Sequence, residues 1–158
     1  MIRVMFVCHG NICRSPMAEM IMKELARREG LSDRMQIASA GTSDEEIFRG
    51  IGNPIYPPAQ AELKRRGIPF TERRAVQLKR ADYADYDLFI GMDRMNSYNM
   101  ERIFRGDPEG KIHALLSFAG RGGDVADPWY SREFGTAYDD IYAGCCALLT
   151  YLKEEGLL

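Results

Sequence analysis

A short segment near the start of the chain combines a thiol, a guanidinium and a hydroxyl. It reads CHGNICRS from Cys8 to Ser15, with five residues between Cys8 and Arg14. A loop that leads from a strand into a helix N-terminus directs backbone N–H groups at one point, where the helix dipole favours an anion. An arginine fork grips two phosphate oxygens at once, which a lysine cannot copy. The segment therefore predicts a phosphate-binding loop.

The same electrostatic field favours a thiolate at Cys8, and the thiolate is the nucleophilic form of cysteine. Gly10 permits the tight backbone of such a loop. Ser15 can donate its hydroxyl to the sulfur and make it a better leaving group. The alternative is that Cys8 is a small buried residue and Arg14 a solvated charge. The Cys-x5-Arg-Ser spacing, between a strand and a helix, favours the catalytic interpretation.

The pattern of the surrounding chain predicts the elements that position this loop. Ile2 to Val7 is a nearly continuous apolar run, typical of a strand buried on both faces, and Ser15 and Pro16 are typical of a helix start. Further strands are predicted over 35–40, 87–92 and 111–116, with helical patterns near 58–66, 79–83 and 96–104 and a last helix from Tyr138. Segments 41–58 and 117–135 have no regular pattern. This alternation predicts an α/β fold: one doubly wound, four-stranded parallel sheet with helices on both faces.

Composition limits the classes of function. The 158 residues carry 21 basic and 23 acidic side chains, for a formal charge of −2, so we expect one domain over 1–158 that does not bind nucleic acid. No apolar run reaches the roughly 18 residues of a membrane span, and we expect a cytoplasmic protein with free thiols at Cys8, Cys13, Cys145 and Cys146. Cys145 falls on the apolar face of the last helix. No His/Cys/Asp cluster has zinc spacing, so neither a metal nor another cofactor is predicted.

Five segments carry a family resemblance. VCHGNICRSPMAE, at 7–19, closely resembles the phosphate-binding signature of the low-molecular-weight protein tyrosine phosphatases. ASAGTS, GNPIYPPA, YDLFIGMD and VADPWY follow in the family's order, at 38–43, 52–59, 86–93 and 125–130. The resemblance implies a protein-tyrosine-phosphatase that works through a phosphocysteine intermediate. Its partners would be a phosphotyrosine-containing protein or a small aryl phosphate, with inorganic phosphate or a similar oxyanion bound in the loop.

The resemblance also implies roles for residues outside and inside the loop. Asp127, in the DP motif, would protonate the leaving oxygen and then activate the water that hydrolyses the intermediate. Asn11 and Ser43 would support the loop, and Asp93 would orient Arg14. The predicted catalytic residues are thus Cys8, Arg14 and Asp127, and the predicted substrate-binding residues are His9, Gly10, Asn11, Ile12, Cys13, Ser15, Phe48, Trp129 and Tyr130. In the family, the second loop cysteine can form a reversible disulfide with the nucleophile. The sequence does not decide whether Cys8 and Cys13 form such a disulfide.

The chain departs from the family's pattern in two places. Where the family often has a short loop with a tryptophan, this chain has DEEIFRGI, which is longer by about four residues, acidic at 44–46, and has Phe48 as its only aromatic. A histidine and an arginine that many members carry are replaced near Arg73 and Val76. The enlarged loop leaves open whether phosphotyrosine or phosphoarginine is preferred. Ile12, where arginine phosphatases often have threonine, favours tyrosine.

Two functions from other classes remain as alternatives. A thiol-dependent arsenate reductase resembles this family in fold and loop, but it needs relay cysteines close to the nucleophile, and Cys145 and Cys146 are predicted in the terminal helix. A recognition module would capture phosphotyrosine without turnover. Such a module has no need for both a thiol nucleophile and a separate acid.

Overall fold

The computed structural model describes residues 1–158. The chain forms the strands β1 (Ile2–Cys8), β2 (Met35–Gly41), β3 (Ile47–Phe48), β4 (Ile51–Gly52), β5 (Leu88–Gly91) and β6 (Ile112–Ala114). Four of them make a central parallel sheet in the order β2-β1-β5-β6. The short strands β3 and β4 form a separate antiparallel hairpin. The predicted α/β fold with a four-stranded parallel sheet is confirmed.

Helices cover both faces of this sheet. They are α1 (Arg14–Arg28), α2 (Pro57–Arg65), α3 (Asp82–Asp85), α4 (Arg94–Phe104), α5 (Pro128–Ser131) and α6 (Phe134–Glu154). Successive side chains of β1 point to opposite faces: Val4 and Phe6 join the larger core with α1 and α6, and Met5 and Val7 join the smaller core with α4. None of these helices has both the length and the apolar character needed to cross a membrane.

Several elements differ from the pattern-based prediction. The strand predicted over 111–116 is shorter, because a 3-10 helix begins at Leu115. Apolar residues continue from the strand into this helix, so the sequence pattern does not mark the boundary between them. The short helix predicted near 79–83 is Asp82–Asp85. Segment 117–135, predicted as irregular, contains the short helix α5 and the start of α6. Segment 41–58, also predicted as irregular, contains the β3–β4 hairpin. Its two-residue turn places Arg49 and Gly50 at φ 52 and 78, as in the tight turns that match strand twist.

The carboxyl ends of β1, β2 and β5 meet at one edge of the sheet. β1 ends at Cys8, whose neighbour in β2 is Gly41. A Cβ on Gly41 would lie 2.7 Å from the carbonyl oxygen of His9, so the loop after β1 can approach β2 only because residue 41 has no side chain. In open α/β sheets this edge is where ligands bind.

A glycine inside α6 gives a test of the packing. Replacing a helical glycine by alanine usually stabilises a helix by up to about 1 kcal/mol, but a Cβ on Gly144 would lie 2.5 Å from Leu115 Cγ. We therefore expect Gly144→Ala to lower the free energy of unfolding by about 1–3 kcal/mol, the usual cost of overpacking. Urea unfolding measures this change.

Gly135→Ala is the matched control, because its Cβ would meet only the ends of two long side chains, Glu62 Oε1 at 3.3 Å and Arg66 Nη2 at 3.6 Å. We expect Gly135→Ala to retain the wild-type stability or to exceed it. A Gly144→Ala variant as stable as the Gly135→Ala variant would show that α6 does not approach Leu115 this closely.

Candidate active site

The loop from Cys8 to Ser15, which we call the phosphate loop, lies between β1 and α1 and forms the floor of a surface cavity. Twelve residues line this cavity: Cys8, His9, Gly10, Ile12, Cys13, Arg14, Glu45, Glu46, Tyr56, Asp127, Trp129 and Tyr130. Nine of them are predicted site residues. The structure thus brings the phosphate loop and the DPWY segment, which are more than 100 positions apart in the sequence, to one place.

Arg14 is buried, with 3% of its side chain exposed, and two acidic residues face it. Its Nη1 donates to Asp93 Oδ2 and to the carbonyl oxygen of Val125, both at 2.8 Å, and its Nη2 lies 3.5 Å from Asp127 Oδ2. Burial by itself would lower the pKa of Arg14, but Cys8, Asp93 and Asp127 together raise it above its usual value. Arg14 is therefore a permanent, oriented cation at the cavity floor.

Cys8 ends β1, and its sulfur lies at the start of α1. Its Sγ is 3.0 Å from Ser15 Oγ, and it is a free thiol. The second loop cysteine, Cys13, is also free, and its burial, with a smaller contribution from Cys8, raises its pKa far above the usual range. Cys13 is therefore a protonated, poorly nucleophilic thiol, whereas Cys8 faces Arg14 and the helix N-terminus.

Asn11 holds the phosphate loop from inside. It is fully buried and has a left-handed backbone, at φ 60, which asparagine tolerates better than most residues. Its Nδ2 donates to Ser15 Oγ at 2.8 Å and to Ser39 Oγ at 3.0 Å. Its Oδ1 accepts from the backbone N–H of Val76 at 3.0 Å and from Arg73.

The predicted support from Ser43 takes a different form in the structure. Ser43 Oγ donates to the carbonyl oxygen of His9 at 3.0 Å, while the hydroxyl that contacts Asn11 belongs to Ser39. Ser39 lies on β2 opposite Phe6 of β1, so its side chain reaches the loop from below. The sequence does not single out Ser39, because the ASAGTS segment contains both Ser39 and Ser43. Only the register of β2 against β1 shows which of the two serines contacts Asn11.

One wall of the cavity is aromatic. The rings of Tyr56 and Trp129 lie 5.1 Å apart, and Tyr56 N donates to the carbonyl oxygen of Ile12 at 2.8 Å. Asp127 caps the short helix α5 by accepting from Trp129 N at 3.0 Å, which places its carboxylate beside the two aromatic residues. Tyr56 was not predicted as a site residue, although it belongs to the GNPIYPPA segment.

Phe48 is the one predicted substrate-binding side chain on the enlarged loop, and the structure places it outside the cavity lining. It pairs with Ile51 in the hairpin, and 63% of it is exposed. The acidic residues before β3 take that wall instead. Glu45 Oε2 lies 2.9 Å from His9 Nε2, and Glu46, which packs over Gly10, accepts from Asn53 at 2.7 Å.

The cavity has no metal centre. No group of three or more His, Cys, Asp or Glu side chains in the chain is arranged to hold a metal ion. The groups available for chemistry are a thiol, a carboxylate, a guanidinium and the N–H groups of the phosphate loop. This set can bind an oxyanion, attack it and transfer a proton.

Comparison with known proteins gives the class of this fold and site. The family model for the low molecular weight phosphotyrosine protein phosphatases matches residues 3–157, so the chain belongs to that family. It is 37% identical to the low molecular weight protein-tyrosine-phosphatase YfkJ of Bacillus subtilis over the full length of both chains, and 33% identical to PtpA of Staphylococcus aureus over 100% of this chain and 98% of that one.

The crystal structure of YfkJ superimposes on this chain with a TM-score of 0.92. The superposition includes 98% of this chain and 96% of the YfkJ chain. A Drosophila arginine phosphatase is also similar, at 30% identity and a TM-score of 0.84, over 95% of this chain and 97% of that one. The predicted family membership and the class of enzyme are confirmed.

The different environments of the cysteines predict selective chemical modification. We expect iodoacetamide at neutral pH to alkylate Cys8 first. Cys13 is held in its protonated form, Cys145 is fully buried, and burial raises the pKa of the half-buried Cys146. Inorganic phosphate should slow the reaction by occupying the loop. Peptide mapping by mass spectrometry, with and without phosphate, measures both effects.

Cys13→Ser is the control and should be alkylated at the wild-type rate, while Cys8→Ser should lose the phosphate-sensitive reaction. Alkylation of Cys13 ahead of Cys8, or a rate indifferent to phosphate, would contradict this assignment of the reactive thiol.

Proposed function

We propose that the protein hydrolyses phosphotyrosine through a phosphocysteine intermediate, with Cys8 as nucleophile, Arg14 as phosphate ligand and Asp127 as general acid and base. The observation that supports this most is the meeting of the three groups at one cavity, with Asp127 Oδ2 3.5 Å from Arg14 Nη2. A phosphate held by the guanidinium fork lies between the sulfur and the carboxyl group.

The reaction follows from these positions. The Cys8 thiolate forms a bond to phosphorus as the bond to the leaving oxygen breaks, and Asp127 gives that oxygen a proton. Asp127, now a carboxylate, takes a proton from the attacking water, and the sulfur leaves as a thiolate that Ser15 can stabilise. Arg14 and the loop N–H groups stabilise the charge on the phosphoryl oxygens in both steps.

The cavity walls favour an aryl phosphate. Ile12, Tyr56 and Trp129 present apolar and aromatic surface above the phosphate loop, and a tyrosine ring can stack there. The side chain of phosphoserine is too short to reach these walls with its phosphate on the floor. The specific partner in this proposal is a phosphotyrosine-containing protein or a small aryl phosphate.

Phosphoarginine is the second candidate substrate, and one feature favours it. Glu45 and Glu46 line the cavity, and a carboxylate can pair with the guanidinium of phosphoarginine. However, Glu45 already faces His9 and Glu46 already accepts from Asn53. The apolar Ile12 and the aromatic wall therefore favour tyrosine.

The positions of the cysteines weigh against an arsenate reductase. Cys145 is fully buried, with its Sγ 3.8 Å from the carbonyl oxygen of Ala18 in the core. Cys146 is half-buried, and neither cysteine lines the cavity, so α6 supplies no relay thiol there. A non-catalytic recognition module would not need Asp127 beside Arg14.

A nucleophilic Cys8 also needs a reducing compartment to stay a thiol, which supports a cytoplasmic location.

Substitution of the nucleophile and of the acid tests the mechanism. We expect Cys8→Ser to release no phosphate from p-nitrophenyl phosphate. Asp127→Ala should lower kcat by about 10²–10⁴-fold, the usual contribution of general acid–base catalysis. The loss should be larger with phenyl phosphate, whose poorer leaving group needs the proton more.

Asp124→Ala is the matched control in the same segment, because Asp124 contacts Arg94 rather than Arg14, and it should keep wild-type turnover. Equal phosphate release by the wild type and by the Cys8→Ser and Asp127→Ala variants would refute the mechanism.

A panel of phosphopeptides tests the substrate. We expect kcat/KM to be highest for phosphotyrosine, lower for phosphoarginine and lowest for phosphoserine. Trp129→Ala should raise KM for the phosphotyrosine peptide about tenfold, by removing ring contacts worth about 1.4 kcal/mol. Phe48→Ala should leave KM unchanged. A preference for phosphoarginine, or an equal effect of the two alanine variants, would contradict the aryl-binding wall.

A further inference from the structure

A second groove, which we call the α2 groove, lies beside the aromatic wall of the cavity. Residues of α2 and of the segment between α5 and α6 line it. Tyr56, the residue before α2, belongs to the cavity lining, and its hydroxyl accepts from Arg132 Nη1 in the groove at 3.4 Å. The charged side chains of the α2 groove are three arginines and two glutamates: Arg65, Arg66, Arg132, Glu62 and Glu133.

Two of the three guanidinium groups in the α2 groove are already paired with carboxylates. Arg65 Nη2 lies 3.1 Å from Glu62 Oε2. Arg66 Nε lies 3.3 Å from the same oxygen, and its Nη1 lies 2.8 Å from Asp139 Oδ1. These pairs compensate the charges of Arg65 and Arg66, so Arg132 is the cation of the groove that is left over.

Arg132 is exposed and forms no ion pair. Apart from the Tyr56 hydroxyl, its guanidinium faces the ring of Phe134, with 5.9 Å between Cζ and the ring centroid, and both partners are neutral. Glu133 also lines the groove, but Arg132 alone among the charged residues there is hydrogen-bonded to a residue of the cavity lining. Arg132 is therefore an uncompensated cation held at the border of the cavity.

A different wall of the cavity has the opposite charge. Glu45 and Glu46 belong to the cavity lining, and their carboxylates would repel an acidic group of a substrate. Beside Tyr56 the same acidic group would meet Arg132. The charges at the mouth of the cavity are therefore asymmetric.

This asymmetry bears on the residues next to a phosphotyrosine. With the tyrosine ring against the aromatic wall, the peptide backbone lies at the mouth of the cavity. An extended backbone advances about 3.3 Å per residue, so the residues within about three positions on one side of the phosphotyrosine pass beside Arg132, and those on the other side lead away from it. A guanidinium can bind a carboxylate there through two parallel hydrogen bonds.

We propose that Arg132 is a specificity-determining residue that pairs with an acidic side chain close to the phosphotyrosine, on one side of the substrate segment. The partner is a phosphoprotein whose phosphotyrosine has acidic neighbours on that side. The inference rests on the hydrolysis of phosphotyrosine proposed above and adds the sequence around that residue.

Three phosphotyrosine peptides test the pairing: one with neutral neighbours, one with two glutamates before the phosphotyrosine, and one with two glutamates after it. We expect the wild type to hydrolyse one of the two glutamate peptides with a kcat/KM about three- to tenfold above that of the other. Arg132→Glu replaces attraction by repulsion and should lower kcat/KM for the preferred peptide about tenfold. For the other two peptides the change should be less than about twofold.

Arg132→Asn removes the charge alone, and asparagine tolerates the left-handed backbone of this position, at φ 59. It should lower kcat/KM for the preferred peptide about three- to fivefold, as for the loss of one exposed ion pair. In about 1 M salt, where the Debye length is about 3 Å, the effect of either variant should fall below about twofold.

Arg105→Glu is the matched control, because Arg105 is exposed, ends a helix and has a left-handed backbone, also at φ 59. α4 begins at the site edge of the sheet and has 11 residues, so its end lies about 16 Å from that edge. We expect Arg105→Glu to keep the wild-type preference between the peptides. An equal effect of Arg105→Glu and Arg132→Glu would overturn the proposal, because it would show a response to net charge.

Two further results would overturn it: equal kcat/KM for the two glutamate peptides in the wild type, and an equal loss for both of them in Arg132→Glu. Thermal unfolding checks the fold of each variant. If Arg132→Glu does not fold, Arg132→Asn decides by its own criterion, and failure of both to fold would assign Arg132 to folding and refute the pairing. Absence of phosphate release from all three peptides by the wild type refutes the proposed function, whereas release without a preference refutes only the role of Arg132.

Discussion

The contact between the Arg14 guanidinium and the segments around it organises the whole cavity. Arg14 belongs to the phosphate loop, Asp93 follows β5, and Val125 and Asp127 belong to a distant segment; the guanidinium touches all three. A buried cation is costly unless it is paired and hydrogen-bonded. The same partners that compensate the charge of Arg14 also orient its side chain, because a planar guanidinium with fixed hydrogen-bond partners has one orientation. The orientation of the guanidinium at the cavity floor therefore follows from the requirement to compensate this buried cation.

A second arginine, which is half-buried, contacts the phosphate loop from behind. Arg73 holds Asn11, whose left-handed backbone, at φ 60, is an uncommon conformation that persists only where its surroundings determine it. The phosphate loop is thus held between two guanidinium groups, one facing the cavity and one facing the core. Glu19 and Asp93 supply the opposite charges, one for each. The loop owes its shape to side chains from β2 and from the extended segment around Arg73 as well as to its own sequence.

The sequence predicts those parts of the site that are local. β1, the loop and the start of α1 follow from an apolar run, a Gly-containing segment and Ser-Pro, all within twenty positions, and the resemblance adds Asp93 and Asp127. Ser39 and Arg73 were missed because strand register and an irregular segment bring them to Asn11, and no periodicity records either. Phe48 was assigned to the cavity as the only aromatic of its loop. A tight turn at Arg49 and Gly50 instead pairs it with Ile51 on an exposed face.

The attachment of Val125 bears on how the catalytic centre comes together. Its carbonyl oxygen accepts from Arg14 at 2.8 Å, and its N–H donates to the carbonyl oxygen of Met92 at 2.9 Å. Both backbone polar groups of Val125 are therefore hydrogen-bonded at the sheet edge, two residues before Asp127. Many enzymes bring their acid into place by closing a lid over bound substrate, and opening that lid can limit turnover. Here the proposed general acid, Asp127, lies two residues after a backbone that is already hydrogen-bonded to the sheet edge. The proposed mechanism therefore needs no lid to bring this carboxyl group to the phosphate loop.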